Sequence, residues 1–314
     1  MAAKPDLVSL DALPLGYMDR LAEHFTVHAV AEDARRVERL TELAQAVRFV
    51  QTTAFVKTGK DVIEALPRLE IISTMAVGVD SIDTAAARAR NIIVTNTPDV
   101  LNDCVADLAF GLLIATARKL PQAMRYTQEG KWHHGFYPLT TRVSGKRLGI
   151  IGLGRIGRVI ARRASGFDMQ VGYHRRGQDP NTPYLYFADL IDMARGADFL
   201  LVMVPGGPAT RNMINARVLE ALGPKGILIN PARGSVVDEP ALVQALKDGK
   251  VGGAGLDVFA NEPNVPPELL AMDNVVVLPH VGSATVETRS AMAGLVVENL
   301  VRHARGEQPL TPLA

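Results

Sequence analysis

The chain has 314 residues, 47% of them hydrophobic and 21% charged, with a formal net charge of +1. That length suffices for two domains, each with its own core, and a charge so near zero excludes a global field that would draw nucleic acid or an acidic surface. The only cysteine, Cys104, excludes an intrachain disulfide and fits a reducing compartment.

Residues 1–16 carry Lys4, Asp6 and Asp11 and lack the apolar core of a secretion signal. The first hundred residues then alternate between two periods. Runs at 26–30, 47–52, 71–77 and 92–95 are short and rich in β-branched or apolar side chains, while 31–43 and 61–66 have helical spacing. Strands alternating with helices predict a parallel sheet covered on both faces. Pro98 closes this section. A longer helix is expected over 102–118. It is apolar on most faces, so it should be buried as a bridge between domains, with Cys104 a small buried hydrophobe within it. The longest uncharged apolar run, 108–117, is too short to cross a bilayer. A cytoplasmic protein with no membrane attachment is therefore expected. The stretch 126–143 has no clean period; it holds Trp132, His133, His134, Phe136 and Tyr137, as a packed cover or an oligomer contact would.

From Lys146 the alternation restarts more sharply. Strands are predicted at 147–151, 170–174, 198–204, 226–230, 253–257 and 275–278, with helices between them, for example 157–164 and 239–247. Arg162 and Arg163 read as a solvated face of the first of these helices. Asp238 is placed to cap the second, with Pro240 in its first turn. Six strands with crossover helices describe a doubly wound nucleotide fold. A last helix, 286–305, follows the final strand and can pack back on the first domain. No solenoid repeat or low-complexity segment is present.

The loop Gly152-Leu153-Gly154-Arg155-Ile156-Gly157 lies between a strand and an apolar-periodic helix, which lifts an otherwise common GxGxxG pattern to a dinucleotide-binding reading. Gly152 permits the tight turn, Gly154 lets the backbone approach a pyrophosphate, and Gly157 allows close helix–strand packing. Amides and dipole at the helix start favour the phosphates. An NAD site carries an acid about 20 residues further on, at the end of the second strand. Here that position reads Tyr173-His174-Arg175-Arg176. Two guanidiniums suit a 2′-phosphate, which a carboxylate would repel. NADP(H) is the expected cofactor, with Arg175 and Arg176 as the clamp and His174 beside it. The alternative is that both arginines are solvated and the site accepts either cofactor.

Three side chains then follow successive strands: Arg233, Glu262 and His280. Ligands of doubly wound sheets sit outside the carboxyl ends of the strands, so the three are expected to converge. Each alone has an ordinary explanation; as a set beside a nicotinamide they suggest hydride chemistry on an anionic carbonyl compound. Hydride addition builds charge on oxygen, so a proton donor is required, and His280 is the natural one near neutral pH. Glu262 can orient it and favour its charged form. Arg233 offers a permanently charged fork that matches a carboxylate and can polarise the carbonyl. Asp257 is expected to anchor the nicotinamide amide. This chemistry calls for no metal ion.

Four stretches carry a family resemblance: Gly152–Gly157, Asn230–Glu239 (NPARGSVVDE), Gly255–Phe259 with Glu262-Pro263, and His280–Thr285 (HVGSAT). Together the chain resembles the D-isomer-specific 2-hydroxyacid dehydrogenases over nearly its whole length. Within them it is similar to the NADPH-dependent glyoxylate/hydroxypyruvate reductases and to plant-type hydroxyphenylpyruvate reductases. The resemblance implies two doubly wound parallel-sheet domains. One is a flavodoxin-like substrate domain, 1–98 plus 285–314; the other is a Rossmann cofactor domain, 99–284. It implies that Val77 and Gly78 belong to a loop holding the substrate carboxylate, and that Asn96-Thr97-Pro98 is a hinge. Phe55 and Met75 are expected to line the side-chain pocket, joined by Trp132 from a partner subunit. The cofactor contacts are expected to include Leu153, Arg155, Ile156, Val204, Pro205, Pro231, Ala232 and Gly282. A homodimer through the cofactor domains is implied. No regulatory extension is expected after about residue 309, which argues against the longer phosphoglycerate dehydrogenases. The implied activity is NADPH-dependent reduction of glyoxylate or hydroxypyruvate. Two alternatives stay open: a nucleotide-sensing binding protein on the same fold, such as a transcriptional corepressor, and NAD-dependent D-2-hydroxyacid oxidation.

Overall fold

The computed structural model describes residues 3–313. The chain divides into two compact units, one formed by residues up to Leu101 together with those from Ser283 onward, the other by Asn102–Gly282. The second unit is a few residues tighter than the boundaries expected at 99 and 284, because its first helix begins at Asn102.

The first unit runs β1 (Asp6–Ser9), α1 (Tyr17–His24), β2 (Thr26–Ala29), α2 (Arg36–Glu42), β3 (Val47–Thr53), α3 (Lys60–Ala65), β4 (Ile71–Met75), α4 (Thr84–Ala89) and β5 (Ile93–Thr95). Its sheet has the order β2-β1-β3-β4-β5 with every pair parallel, the flavodoxin-like doubly wound arrangement. Phe49, Val50, Ile71 and Ile72 on the inner strands are fully buried, as expected for strands covered on both faces. Helix formation over 31–43 starts only at Arg36, because the Asp33 carboxylate accepts the Arg35 amide and holds the preceding residues in a turn. At or just beyond the carboxyl ends of β3 and β4 lie the residues expected to meet substrate. Met75 is buried, Val77 and Gly78 are half-buried, and Phe55 is exposed. The Asn96 side-chain amide donates to the Val77 carbonyl at 2.8 Å and ties β5 to that loop.

The second unit runs α5 (Asn102–Ala117), α6 (Leu120–Gln128), β6 (Arg147–Ile151), α7 (Arg155–Ala164), β7 (Gln170–His174), β8 (Leu185–Phe187), α8 (Leu190–Gly196), β9 (Phe199–Val202), α9 (Ala216–Leu222), β10 (Ile227–Asn230), α10 (Glu239–Lys247), β11 (Gly253–Leu256), α11 (Pro267–Ala271) and β12 (Val275–Val277). Seven parallel strands, rather than the six expected, take the order β12-β11-β10-β9-β6-β7-β8. The order reverses between β6 and β9, so the glycine-rich loop after β6 lies at the switch point where such sheets bind ligands. The long apolar helix α5 was expected to bridge domains. It packs on β10, β11, β12 and α7 of its own unit, and its Cys104 is half-buried rather than buried. The 126–143 stretch holds the end of α6 and a short turn at Lys131–His133; Trp132 is 67% exposed and Phe136 95%.

A last helix, α12 (Val286–Ala304), returns to the first unit and packs on β4 and α1. Among the described residues no helix is long and apolar enough to cross a membrane.

Candidate active site

The loop after β6 fits a dinucleotide, and its glycines show why. Gly152 has φ +97°, and a Cβ there would sit 2.3 Å from the Met203 carbonyl oxygen. A Cβ at Gly157 would sit 2.2 Å from the Gly152 carbonyl oxygen. These two glycines are demanded by the protein's own backbone. Gly154 is not: a Cβ there meets nothing within 4 Å. Its small size leaves open space directly over the start of α7, where the first-turn amides and the helix dipole favour an anion.

At the end of β7 the half-buried His174 ring donates from Nδ1 to the Phe187 carbonyl at 2.9 Å, which secures the short edge strand β8. Arg175 and Arg176 follow and are exposed. Arg175 donates to the Asp179 carboxylate at 3.3 Å.

On the other side of the switch point, Arg233 follows β10. The buried Asn230 folds this turn: its side-chain oxygen accepts the Ala232 amide at 3.1 Å and its side-chain nitrogen donates to the Arg233 carbonyl at 2.9 Å. His280 follows β12 in the left-handed region at φ +54°, a conformation that costs a non-glycine residue on the order of 1–2 kcal/mol. Asp257, at the end of β11, braces it. The Asp257 carbonyl accepts the His280 amide at 2.8 Å, and its two carboxylate oxygens accept the Val281 and Gly282 amides at 2.8 Å each. Asp257 is fully buried, and burial pushes its carboxyl above the ordinary carboxylate range, more than those amides and the charge of His280 pull it down. Its oxygens thus also serve the turn that presents His280.

His280 Nδ1 donates to Glu262 Oε2 at 2.7 Å, and Glu262 Oε1 accepts the Phe259 amide at 3.0 Å. Burial pushes the Glu262 carboxyl up. The His280 hydrogen bond and charge, the Phe259 amide and the Arg233 guanidinium together outweigh that and hold it below its ordinary value. The structure thus brings together the imidazole and its acid and places Arg233 within reach of their charge. Phe55, Met75, Val77 and Gly78 belong to the first unit, and Trp132 lies on the exposed stretch after α6.

A family model described as the NAD binding domain of the D-isomer specific 2-hydroxyacid dehydrogenases matches residues 110–282. The chain belongs to this family. A hydroxyphenylpyruvate reductase from Plectranthus scutellarioides is 50% identical to the dehydrogenase over 270 residues, covering 86% of each chain. A glyoxylate/hydroxypyruvate reductase from Arabidopsis thaliana is 49% identical over 268 residues, 85% of this chain and 86% of the relative. The crystal structure of an NADPH-dependent glyoxylate/hydroxypyruvate reductase from Sinorhizobium meliloti, in complex with NADP and malonate, superposes with a TM-score of 0.93 at 44% identity, covering 99% of this chain and 97% of that one.

Sequence reasoning missed how this dehydrogenase locks its two catalytic-side loops together. Glu239, read only as the first residue of α10, accepts the Ala260 amide at 3.1 Å. Gly234 presses on the same peptide, where an added Cβ would come within 1.9 Å of the Phe259 carbonyl carbon. Only the NPARGSVVDE match hinted that these residues do more than turn the chain. Gly234→Ala is therefore expected to lower unfolding stability by about 2–3 kcal/mol, because backbone rather than a flexible side chain must yield. Denaturant midpoints of the two proteins would measure it, and a change under 0.5 kcal/mol, the ordinary surface range, would contradict the packing argument.

The Glu262 environment sets a second expectation. A carboxyl held below its unfolded value contributes stability that is complete above that value and is lost as pH falls through the folded one. The dehydrogenase should thus lose Glu262's contribution as pH drops below the ordinary glutamate value of 4.5. Glu262→Gln should unfold with a shallower pH dependence in that window. Equal slopes for the two proteins across the acid range would show that Glu262 holds no such advantage.

Proposed function

We propose that this dehydrogenase reduces small 2-oxo acids, glyoxylate and hydroxypyruvate among them, to D-2-hydroxy acids with NADPH. The observation that carries the reading is the 2.7 Å His280–Glu262 pair on the strand-end side of a sheet whose switch-point loop keeps open space over Gly154. The names of the relatives support it. Leu153, Arg155, Ile156, Val204, Pro205, Pro231, Ala232 and Gly282 would complete the cofactor contacts around that loop, and Arg175 and Arg176 would take the 2′-phosphate. When bound, NADPH supplies a hydride from nicotinamide C4 to the substrate carbonyl carbon.

The chain's own residues do the rest. Arg233 binds the substrate carboxylate and stabilises charge growing on the carbonyl oxygen. Glu262 fixes the His280 ring by accepting from Nδ1, which leaves Nε2 to donate the proton. The proton passes to the new alkoxide oxygen, so the hydroxyl forms as the hydride arrives. Val77 and Gly78 on the first unit add amides for the carboxylate, and Phe55, Met75 and a partner's tryptophan shape the side-chain end. A homodimer belongs to the same reading: Met124, Trp132, Phe136 and Leu139 expose apolar surface on one stretch of the second unit, which a second copy would cover. So does a cytoplasmic location, in keeping with a single cysteine.

Mixing the protein with NADPH and a panel of 2-oxo acids, and following the absorbance of the reduced nicotinamide, tests the proposal. Turnover with glyoxylate or hydroxypyruvate is expected. Binding of NADPH without turnover across the panel would replace the enzyme by a nucleotide sensor, and a clear preference for NAD with a 2-hydroxy acid would reverse the direction.

A further inference from the structure

The acid that the second strand lacks at its end reappears five residues later, held beneath the arginines. Asp179 is 8% exposed. Its backbone is fixed from the core: the hydroxyl of the fully buried Tyr173 accepts the Asp179 amide at 2.8 Å. Its Oδ1 accepts the Asn181 amide at 3.0 Å. Its Oδ2 is shared by two guanidiniums, Arg158 from α7 and Arg175 from the end of β7. Arg175 is held a second time through its carbonyl, which accepts from the Tyr186 hydroxyl on β8 at 3.2 Å.

We infer that Asp179 is a positioning residue for cofactor choice, fixing Arg175 and Arg158 in advance as the walls of a site for the adenosine 2′-phosphate. The inference rests on the NADPH reading above. An arginine side chain has about 2 kcal/mol of rotamer entropy to lose on ordering. Asp179 orders Arg175 before any nucleotide arrives, through Nη1 alone, so the rest of the fork can meet a phosphate. An acid in this place would ordinarily repel NADP. Here it faces two guanidiniums, Arg158 and Arg175, so the cluster keeps a net positive charge, and Arg176 follows next in the chain to add a second against a phosphate dianion. The Asn181 amide and Arg158 hold the carboxyl below its ordinary range, so the bridge persists through the neutral pH range.

Equilibrium binding of NADPH, NADH, 2′,5′-ADP and 5′-AMP, followed by calorimetry, tests this without turnover. Wild-type protein is expected to bind the two 2′-phosphorylated ligands more tightly than their counterparts; equal binding would overturn the NADPH reading and the inference with it. Given that preference, Asp179→Asn should weaken NADPH and 2′,5′-ADP about tenfold and leave NADH and 5′-AMP within twofold. Tyr173→Phe, which keeps the buried ring but loses the bond to the Asp179 amide, should shift the same ratio in the same direction by less. It carries the test if Asp179→Asn does not fold. Unchanged discrimination, tighter NADPH binding, or equal weakening of all four ligands would each overturn the positioning role.

Discussion

His280→Ala is expected to lower kcat for 2-oxo acid reduction by about two to four orders of magnitude, the range that a positioned general acid supplies. The loss should fall on kcat more than on KM, because the proposed reading gives substrate binding to Arg233 rather than to the imidazole. The fold should survive. The His280 side chain is only partly buried, with 24% of its surface exposed, and alanine is no more strained than histidine in the left-handed turn by the loss of the ring. The backbone bonds from Asp257 that build this turn remain in the variant. A thermal unfolding curve close to wild type, together with partial recovery of rate on adding free imidazole, would separate a lost proton donor from a damaged site. Near-normal kcat would remove His280 from the mechanism, and the enzymatic reading would then lose its only candidate for the proton.

The parts of this protein that repeat a period were legible in the sequence, and the parts set by single long-range contacts were not. Inner strands such as β9 (FLLV) and β10 (ILIN) are almost entirely apolar runs, because both faces of a parallel sheet are covered. The short strands were harder. β1 has four residues and directly follows Pro5, and β8 has three, with Leu185 63% exposed at the sheet edge. Neither offers enough alternation to rise above its surroundings. Helix α6 escaped because it is short and none of its residues is buried: its apolar residues, Leu120 and Met124, are exposed rather than part of a core stripe. The site divides the same way. Arg233, Glu262 and His280 were found by their places after strands, which topology converts into proximity. Asp179 was missed because one of its two arginine partners, Arg158, is 21 residues away, and the other, Arg175, is joined to it across an irregular loop rather than by a helical or strand period. Glu239 was missed for the same reason, its bond reaching Ala260 across a 21-residue separation. Asp257 shows the converse: the position was found from the sequence, while its bonds to the Val281 and Gly282 amides were visible only in the fold.

Replacing both Arg175 and Arg176 with alanine is expected to raise the KM for NADPH by on the order of a hundredfold while moving the KM for NADH less than threefold. The size follows from two charge-assisted contacts to one phosphate, each taken near the low end of about 1.5–3 kcal/mol because both side chains are exposed. The asymmetry follows from chemistry: NADH has a ribose hydroxyl where NADPH has a dianion, so it has little to lose when the guanidiniums go. Salt sharpens the test. Added salt should weaken NADPH binding to wild type and have much less effect on the double variant, since screening acts on the charges that were removed. The catalytic step should be untouched, so kcat at saturating NADPH should stay within a few fold of wild type. Equal losses for both cofactors would mean that the two arginines shape the β7–β8 loop rather than read the phosphate, and the preference would then have to come from Arg158, the one guanidinium of the cluster that lies on α7 beside the pyrophosphate loop.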